Sequence, residues 1–325
     1  MTIIIPKSNK ILYDSPKSFR SIMLLNMLGK LIEKVIGDRL QFHVISNNFI
    51  YQSQLEGLKF KSTIDTSIVL THFICMGWIK NILTSSLAFN IAQFFPLLNH
   101  QLLALILGKA SFNSHVVKFF SNYLVNRKTK YFWNNFSSPS VDVNVGVGQG
   151  LALSSILSAL YLVPFLHILE NHLKNLDLKI SILLFVNDGL LITQSKSLQT
   201  SNTHLFCSYN VMSNLLSKFG LLTEYSKTEV FHFSKLQKVS NPPLLDLLLI
   251  SGPILYPKDL WRYLEFIFDR KLLFYQHIDF YTNKAILTVK YIKILDNSTR
   301  GLNLQQKHLL YRSYTLLIAL YRFQM

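Results

Sequence analysis

The chain has 325 residues, half of them apolar and 13% aromatic, enough for one large core or two smaller ones, and wholesale disorder is excluded. Lys and Arg number 33 against 17 Asp and Glu, leaving a formal charge of +16 and a pI near 9.7, which favours a polyanion such as nucleic acid or an acidic membrane surface. Its two cysteines, Cys75 and Cys207, fit neither a disulfide framework nor a zinc spacing, so a reducing compartment is expected.

The N-terminus has no basic region followed by a long apolar one, so no signal peptide is visible. Leu31, Ile32, Val35, Ile36 and Leu40 recur at helical spacing, with Lys30, Glu33, Lys34, Asp38 and Arg39 on the other face, predicting an amphipathic helix over 30–43. A short strand is expected over 86–91, then helices over 97–109 and 114–125. Strands over 128–134 and 141–147 are expected to form a hairpin across Ser137-Ser138-Pro139-Ser140. A helix over 151–171 follows. Two apolar runs, 180–186 and 189–193, close on each other at Asn187-Asp188 as a second hairpin. A helix over 201–219, a strand over 228–233 and helices over 284–295 and 304–320 complete the series. Strands and helices intermix without regular alternation, so the fold class is α+β, an antiparallel sheet backed by helices.

Positive mean hydropathy raises a multi-pass membrane protein as a rival reading, since residues 143–169 carry no charged side chain. That run opens on Val-Asn-Val-Gly-Val-Gly-Gln-Gly and holds Ser154, Ser155, Ser158, Pro164 and His167, so a buried core helix after a glycine loop explains it better. The uncharged stretch 86–108 is similarly interrupted by Asn90, Gln93, Pro96, Asn99, His100 and Gln101.

The blocks that carry chemistry lie in a definite order. Phe185-Val186-Asn187-Asp188 resembles the aromatic-x-Asp-Asp loop of reverse transcriptases, with asparagine at the first aspartate. The strand Leu87-Ala88-Phe89-Asn90-Ile91-Ala92-Gln93-Phe94-Phe95 is similar to the family's first metal motif, with Asn90 at its aspartate. Gly146-Val147-Gly148-Gln149-Gly150-Leu151-Ala152-Leu153-Ser154-Ser155 resembles the Pro-Gln-Gly-Ser-x-Leu-Ser-Pro block between the two, departing at Gly148, Leu151 and Ser155, and Tyr225-Ser226-Lys227-Thr228-Glu229 the block with a lysine near the triphosphate. Trp261-Arg262-Tyr263-Leu264-Glu265-Phe266 resembles the primer-grip block, with Glu265 where glycine is usual. Upstream, Ser18-Phe19-Arg20-Ser21-Ile22, Lys30-Leu31-Ile32-Glu33-Lys34 and Gln54-Leu55-Glu56-Gly57 leading to Lys61-Ser62-Thr63 resemble the fingers of non-LTR (LINE-like) retrotransposon reverse transcriptases. Taken alone, Phe95 reads as a core phenylalanine and Lys227 as a solvated lysine. Ordered multiplicity over about residues 16–280 is far more specific than any single block.

The resemblance implies a right-hand polymerase fold. Its parts are fingers over 1–85, a palm with an antiparallel sheet over 86–240 (with finger elements around 110–145), a primer-grip region over 241–275 and a partial helical thumb over 276–325. It implies an RNA template, a DNA primer and deoxynucleoside triphosphates as partners, no membrane, and an intracellular, nuclear location. Asn90, Asn187 and Asp188 would face Mg2+ or Mn2+, Phe95 the sugar, and Gln149 and Gly150 the template-nucleotide pair. Lys227 would face the triphosphate, while Arg20, Lys59 and Lys61 would supply positive charge in the fingers. With no endonuclease before it and no RNase H after it, the chain reads as a fragment of a larger element.

Two-metal phosphoryl transfer needs carboxylates from separate strand ends to hold cations about 4 Å apart. Asparagine at 90 and 187 brings no negative charge, and Asp188 alone cannot hold two cations, so impaired catalysis is expected. The departures from the family blocks, Ser21, Glu56, Asn90, Leu151, Ser155, Asn187 and Glu265, are each reachable by one C-to-T or G-to-A transition. A transposon copy decaying by cytosine deamination, as in some fungal genomes, accounts for that pattern. A remnant that only binds nucleic acid is the alternative with the same fold.

Overall fold

The computed structural model describes residues 1–7, 12–55, 58–59, 61–110, 112–235, 255–294 and 301–321. In chain order these form β1 (Thr2–Pro6), β2 (Phe19–Met23), α1 (Met27–Ser46), α2 (Thr63–Ile79), β3 (Leu83–Ala92), α3 (Phe94–Leu97), α4 (His100–Lys109) and α5 (Ser114–Leu124). Next come β4 (Lys128–Thr129), β5 (Tyr131–Trp133), β6 (Phe136–Ser137), β7 (Val141–Asp142), α6 (Ser154–Asn175), β8 (Ile180–Phe185), β9 (Asp188–Ser195), α7 (Leu198–Lys218), β10 (Leu222–Thr223) and β11 (Glu229–Phe233). The series ends with β12 (Leu260–Tyr263), β13 (Phe266–Asp269), α8 (Tyr275–Ile294), α9 (Leu304–Leu310) and α10 (Leu316–Ala319). Glu56, Gly57, residues 236–254 of the palm and primer-grip expectation and the last four residues lie outside the described ones.

Everything at the site depends on β3. Its neighbour on one edge is β9, itself paired with β8, and its other edge is shared by β10 and β11, every pairing antiparallel. Side chains alternate across the pleat. Leu87, Phe89 and Ile91 enter the large core with Leu160, Phe165 and Leu169 of α6 and Leu205, Met212 and Leu216 of α7. Ala88 faces the other way, into a second core built from Leu70 and Ile74 of α2, Phe231 and Phe233 of β11, and Trp261, Tyr263, Phe266 and Phe268 of the β12–β13 hairpin.

The uncharged run supplies residues 154–169 of α6, which is long and apolar enough to cross a membrane by length and composition, yet most of it is buried within the core. Burial of Ile156, Leu157, Leu160, Phe165, Leu166 and Leu169 accounts for its apolar character without a bilayer.

The expected hairpin over 128–147 is corrected. The first strand is divided into β4 and β5, β5 turns back tightly into β6 at Asn134 and Asn135, and the second strand is only β7, pairing with β4. Asn134 adopts a left-handed φ of 52°, which asparagine tolerates better than most residues, so the turn forms there rather than at the serines. Strands β1 and β2, not expected from periodicity, form a sheet in the order β2-β1-β5-β6. Helix α8 begins at Tyr275, ahead of the expected start at 284, and the expected 304–320 helix is interrupted between α9 and α10 by a wider π turn over Tyr311–Thr315.

Candidate functional site

Strand register brings together residues that lie far apart in sequence. Asn90 of β3 and Asp188 of β9 are direct partners across the ladder, and Asn90 Nδ2 donates to Asp188 Oδ1 at 2.5 Å. The backbone closes the arrangement on both sides. Ile91 N–H donates to Asn187 O at 2.7 Å, and Glu224 N–H donates to Asn90 O at 2.7 Å.

The β8–β9 turn has two residues, Val186 and Asn187, and Val186 takes a left-handed φ of 61°. For a β-branched residue this costs about 1–2 kcal/mol. On the opposite face Gly189 is the register partner of Phe89, and a Cβ there would collide with the Phe89 ring. Glycine at 189 therefore lets the aromatic ring lie across the strand directly beside Asp188.

A short turn over Tyr225–Lys227 links β10 to β11 and points Lys227 back at β3. Lys227 Nζ donates to Glu224 Oε2 at 2.6 Å and lies 3.4 Å from Asn90 Oδ1. Burial pushes the Asp188 carboxyl above the ordinary carboxylate value and the Glu224 charge adds to the rise, while the Asn90 hydrogen bond and the Lys227 charge pull it down. Tyr263 of β12 is buried, its hydroxyl has no hydrogen-bond partner among the described residues, and burial together with the Asp188 charge drives its ionisation far upward.

These groups open onto a cavity of about 570 Å³ whose walls include Thr63, Asn90, Asp188, Lys227, Trp261 and Arg262. A pair of divalent cations would require at least two carboxylates converging on one point. Asp188 supplies one, Asn90 presents an amide, and Glu224 is engaged by Lys227. No group of three His, Cys, Asp or Glu side chains able to hold an ion occurs among the described residues. The donor set does not fit a two-metal centre.

The other sequence-predicted residues lie away from this cavity's walls. Asn187 contributes its backbone carbonyl to β3, but its side chain is not part of the lining. Phe95 is half-buried against Phe94 and the large core. Gln149 and Gly150 sit in a loop pinned to β2 by the Met23 N–H donating to Gln149 O at 2.9 Å. Gly146, at φ +86°, turns that loop against Pro96, where any side chain would clash. Arg20 is exposed on β2, Lys61 is exposed before α2, and Lys59 is paired with Asp38 at 3.0 Å.

Cavity residues given no individual role in the sequence reading include Thr63, Glu229, Trp261, Arg262 and Tyr263, and Glu224 joins them through its contact with Lys227. The alternation of Trp261 and Tyr263 along one strand was a usable signal, because both side chains must then share a face. Glu224 had none: its proximity to Asn90 comes from the β10–β3 pairing alone.

The family described as reverse transcriptase (RNA-dependent DNA polymerase) matches residues 5–270. No curated protein matches the chain. Among solved structures, apo telomerase from Candida tropicalis is similar at a TM-score of 0.53 and 12% identity, over 90% of this chain and 50% of that one. Apo telomerase from the same organism, truncated from its C-terminal domain, is similar at a TM-score of 0.51 and 14% identity, over 78% of this chain and 52% of that one. The chain thus spans about half the length of the structures it matches. At such identities the likeness is one of fold, and the fold is the right-hand polymerase fold with a mixed helix and sheet palm.

Proposed function

We infer that this chain, which belongs to the reverse transcriptase (RNA-dependent DNA polymerase) family, is a polymerase domain that retains nucleic-acid binding and has lost efficient nucleotidyl transfer. The observation that carries the reading is the Asn90–Asp188 pair: where family members use divalent metal ions, this cavity offers an amide hydrogen-bonded to Asp188, and the other carboxylates on its walls, Glu229 and Glu265, are engaged by Lys258 and Arg262. Each missing carboxylate withdraws several kcal/mol of transition-state stabilisation, about 10²-fold or more in rate.

The order and content of the blocks from Phe19-Arg20 to Lys227 support descent from a non-LTR (LINE-like) retrotransposon. The transition-type departures support a decaying copy, one of a kind that acts in the nucleus. A formal charge of +16 supports binding to a phosphate backbone. Telomerase from Candida tropicalis has been solved with a fragment of telomeric RNA, and an RNA template with a DNA primer is the partner we propose for this chain.

Fluorescence anisotropy with a labelled RNA–DNA primer-template tests the binding half of this reading. Affinity is expected to fall steeply as salt rises, because phosphate contacts release counterions. Absence of binding at low salt contradicts it. Sister copies of the gene test the decay: departures should be dominated by C-to-T and G-to-A transitions, and an even mixture with transversions argues against it.

A further inference from the structure

The cavity contains a positive charge of its own, wired to Asp188 by the residue that replaced a carboxylate. Lys227 Nζ binds Glu224 Oε2 at 2.6 Å and stands 3.4 Å from Asn90 Oδ1, while Asn90 Nδ2 donates to Asp188 Oδ1 at 2.5 Å. Carboxylate, ammonium, amide and carboxylate follow one another without a break. The remaining charges on the cavity walls are paired among themselves or with a neighbour, Arg262 with Glu265 and Glu229 with Lys258.

An amide suits this place because its two ends differ: the oxygen faces an ammonium and the NH2 faces a carboxylate. Aspartate at 90 could accept from Lys227 but would oppose Asp188 as a like charge at a directly paired strand position, which is destabilising without a cation between them. With asparagine at 90 and 187, Asp188, Glu224 and Lys227 together carry a single negative charge; aspartate at both would raise it to three.

We propose that the Lys227 ammonium, relayed through the Asn90 amide, performs in this chain the charge-compensating task of a divalent cation, so that the Asp188 cavity is held together without metal and does not respond to it. The inference rests on the reading that the chain no longer works by two metals, and it goes further by assigning Asn90 a positive structural role rather than a mere loss.

Thermal unfolding of the full chain, in MnCl2 and in monovalent salt of matched ionic strength, tests it. The unaltered protein is expected to show the same midpoint in both. Lys227→Met, which keeps the stem and removes the charge, is expected to lower the metal-free midpoint by about 2–4 °C and to regain it in Mn2+. Asn90→Asp should behave in the same way. If Asn90→Asp does not fold, the Lys227→Met comparison decides. A Mn2+-dependent rise in the unaltered protein that Asp188→Asn abolishes, or a Lys227→Met midpoint unmoved under both conditions, overturns the proposal. Nucleotide incorporation by the unaltered chain is a separate readout and bears on the functional reading itself, whereas an inactive but Mn2+-stabilised protein defeats this inference alone.

Discussion

Asn90 and Asp188 are partners across the β3–β9 ladder, and the amide of one donates to the carboxylate of the other at 2.5 Å. In a two-metal polymerase these positions repel each other until cations arrive. Here they attract.

Removing that donor has a defined cost. Asn90 is nearly buried, so Asn90→Ala leaves the Asp188 carboxylate short of a partner, and a loss of about 1–3 kcal/mol is expected. Urea unfolding measures it, and the cost should shrink when Asp188→Ala is already present. Equal costs in both backgrounds mean that the pair is not coupled.

Gly189→Ala should be destabilising although the backbone there is ordinary strand, because the added methyl meets the Phe89 ring. The expected loss is about 1–3 kcal/mol, read from denaturant midpoints. Phe89→Leu should relieve part of it, so the double variant should be more stable than the sum of the two losses predicts.

Much of this palm is legible in the sequence. The apolar runs flanking Asn187-Asp188 and the helical spacing over 30–43 are local signals, and both elements form, but the expected faces of α1 are corrected: Leu31, Ile32 and Val35 are exposed while Glu33 is buried with Leu40 and Val44. The uncharged stretch of α6 reads as a core helix because serines, a proline and a histidine interrupt it, and burial explains the rest. Contacts made by distant register were not legible. Lys227 reaches Asn90 across 137 residues of sequence, and only the β10 and β11 pairings with β3 bring them together. The 128–147 hairpin misled for the opposite reason: Ser137 to Ser140 has turn composition, while the left-handed Asn134 supplies the turn.

Glu265 lies at φ 70° in the tight turn between β12 and β13, beside Leu264 at φ 46°. Glycine relieves left-handed strain, and the Arg262–Glu265 ion pair it would remove is half-exposed and worth little. Glu265→Gly is therefore expected to raise stability by about 0.5–1 kcal/mol in equilibrium unfolding. A destabilised variant would mean that the ion pair outweighs the backbone term.

His232 introduces a pH dependence. It is buried on β11 with Nδ1 2.8 Å from Ser85 Oγ, and burial, aided by the Arg270 charge, lowers its pKa from 6.5 to about 4. Between those values the unfolded chain binds the proton and the folded chain does not, so stability falls as pH falls. It should be at its full value above 6.5 and lower by about 3 kcal/mol once pH has dropped through 4. Denaturant titrations across that window measure the loss, and His232→Gln should flatten it. An unchanged profile in that variant would assign the acid sensitivity elsewhere.

Primer extension on an RNA template with Mg2+ or Mn2+, comparing the unaltered chain with a variant carrying Asn90→Asp and Asn187→Asp, decides whether this domain still transfers nucleotides. No extension above background is expected from the unaltered chain, and a gain is expected from the restored variant if its fold survives the added charge. Template-dependent incorporation by the unaltered chain, abolished by Asp188→Asn, would contradict this expectation.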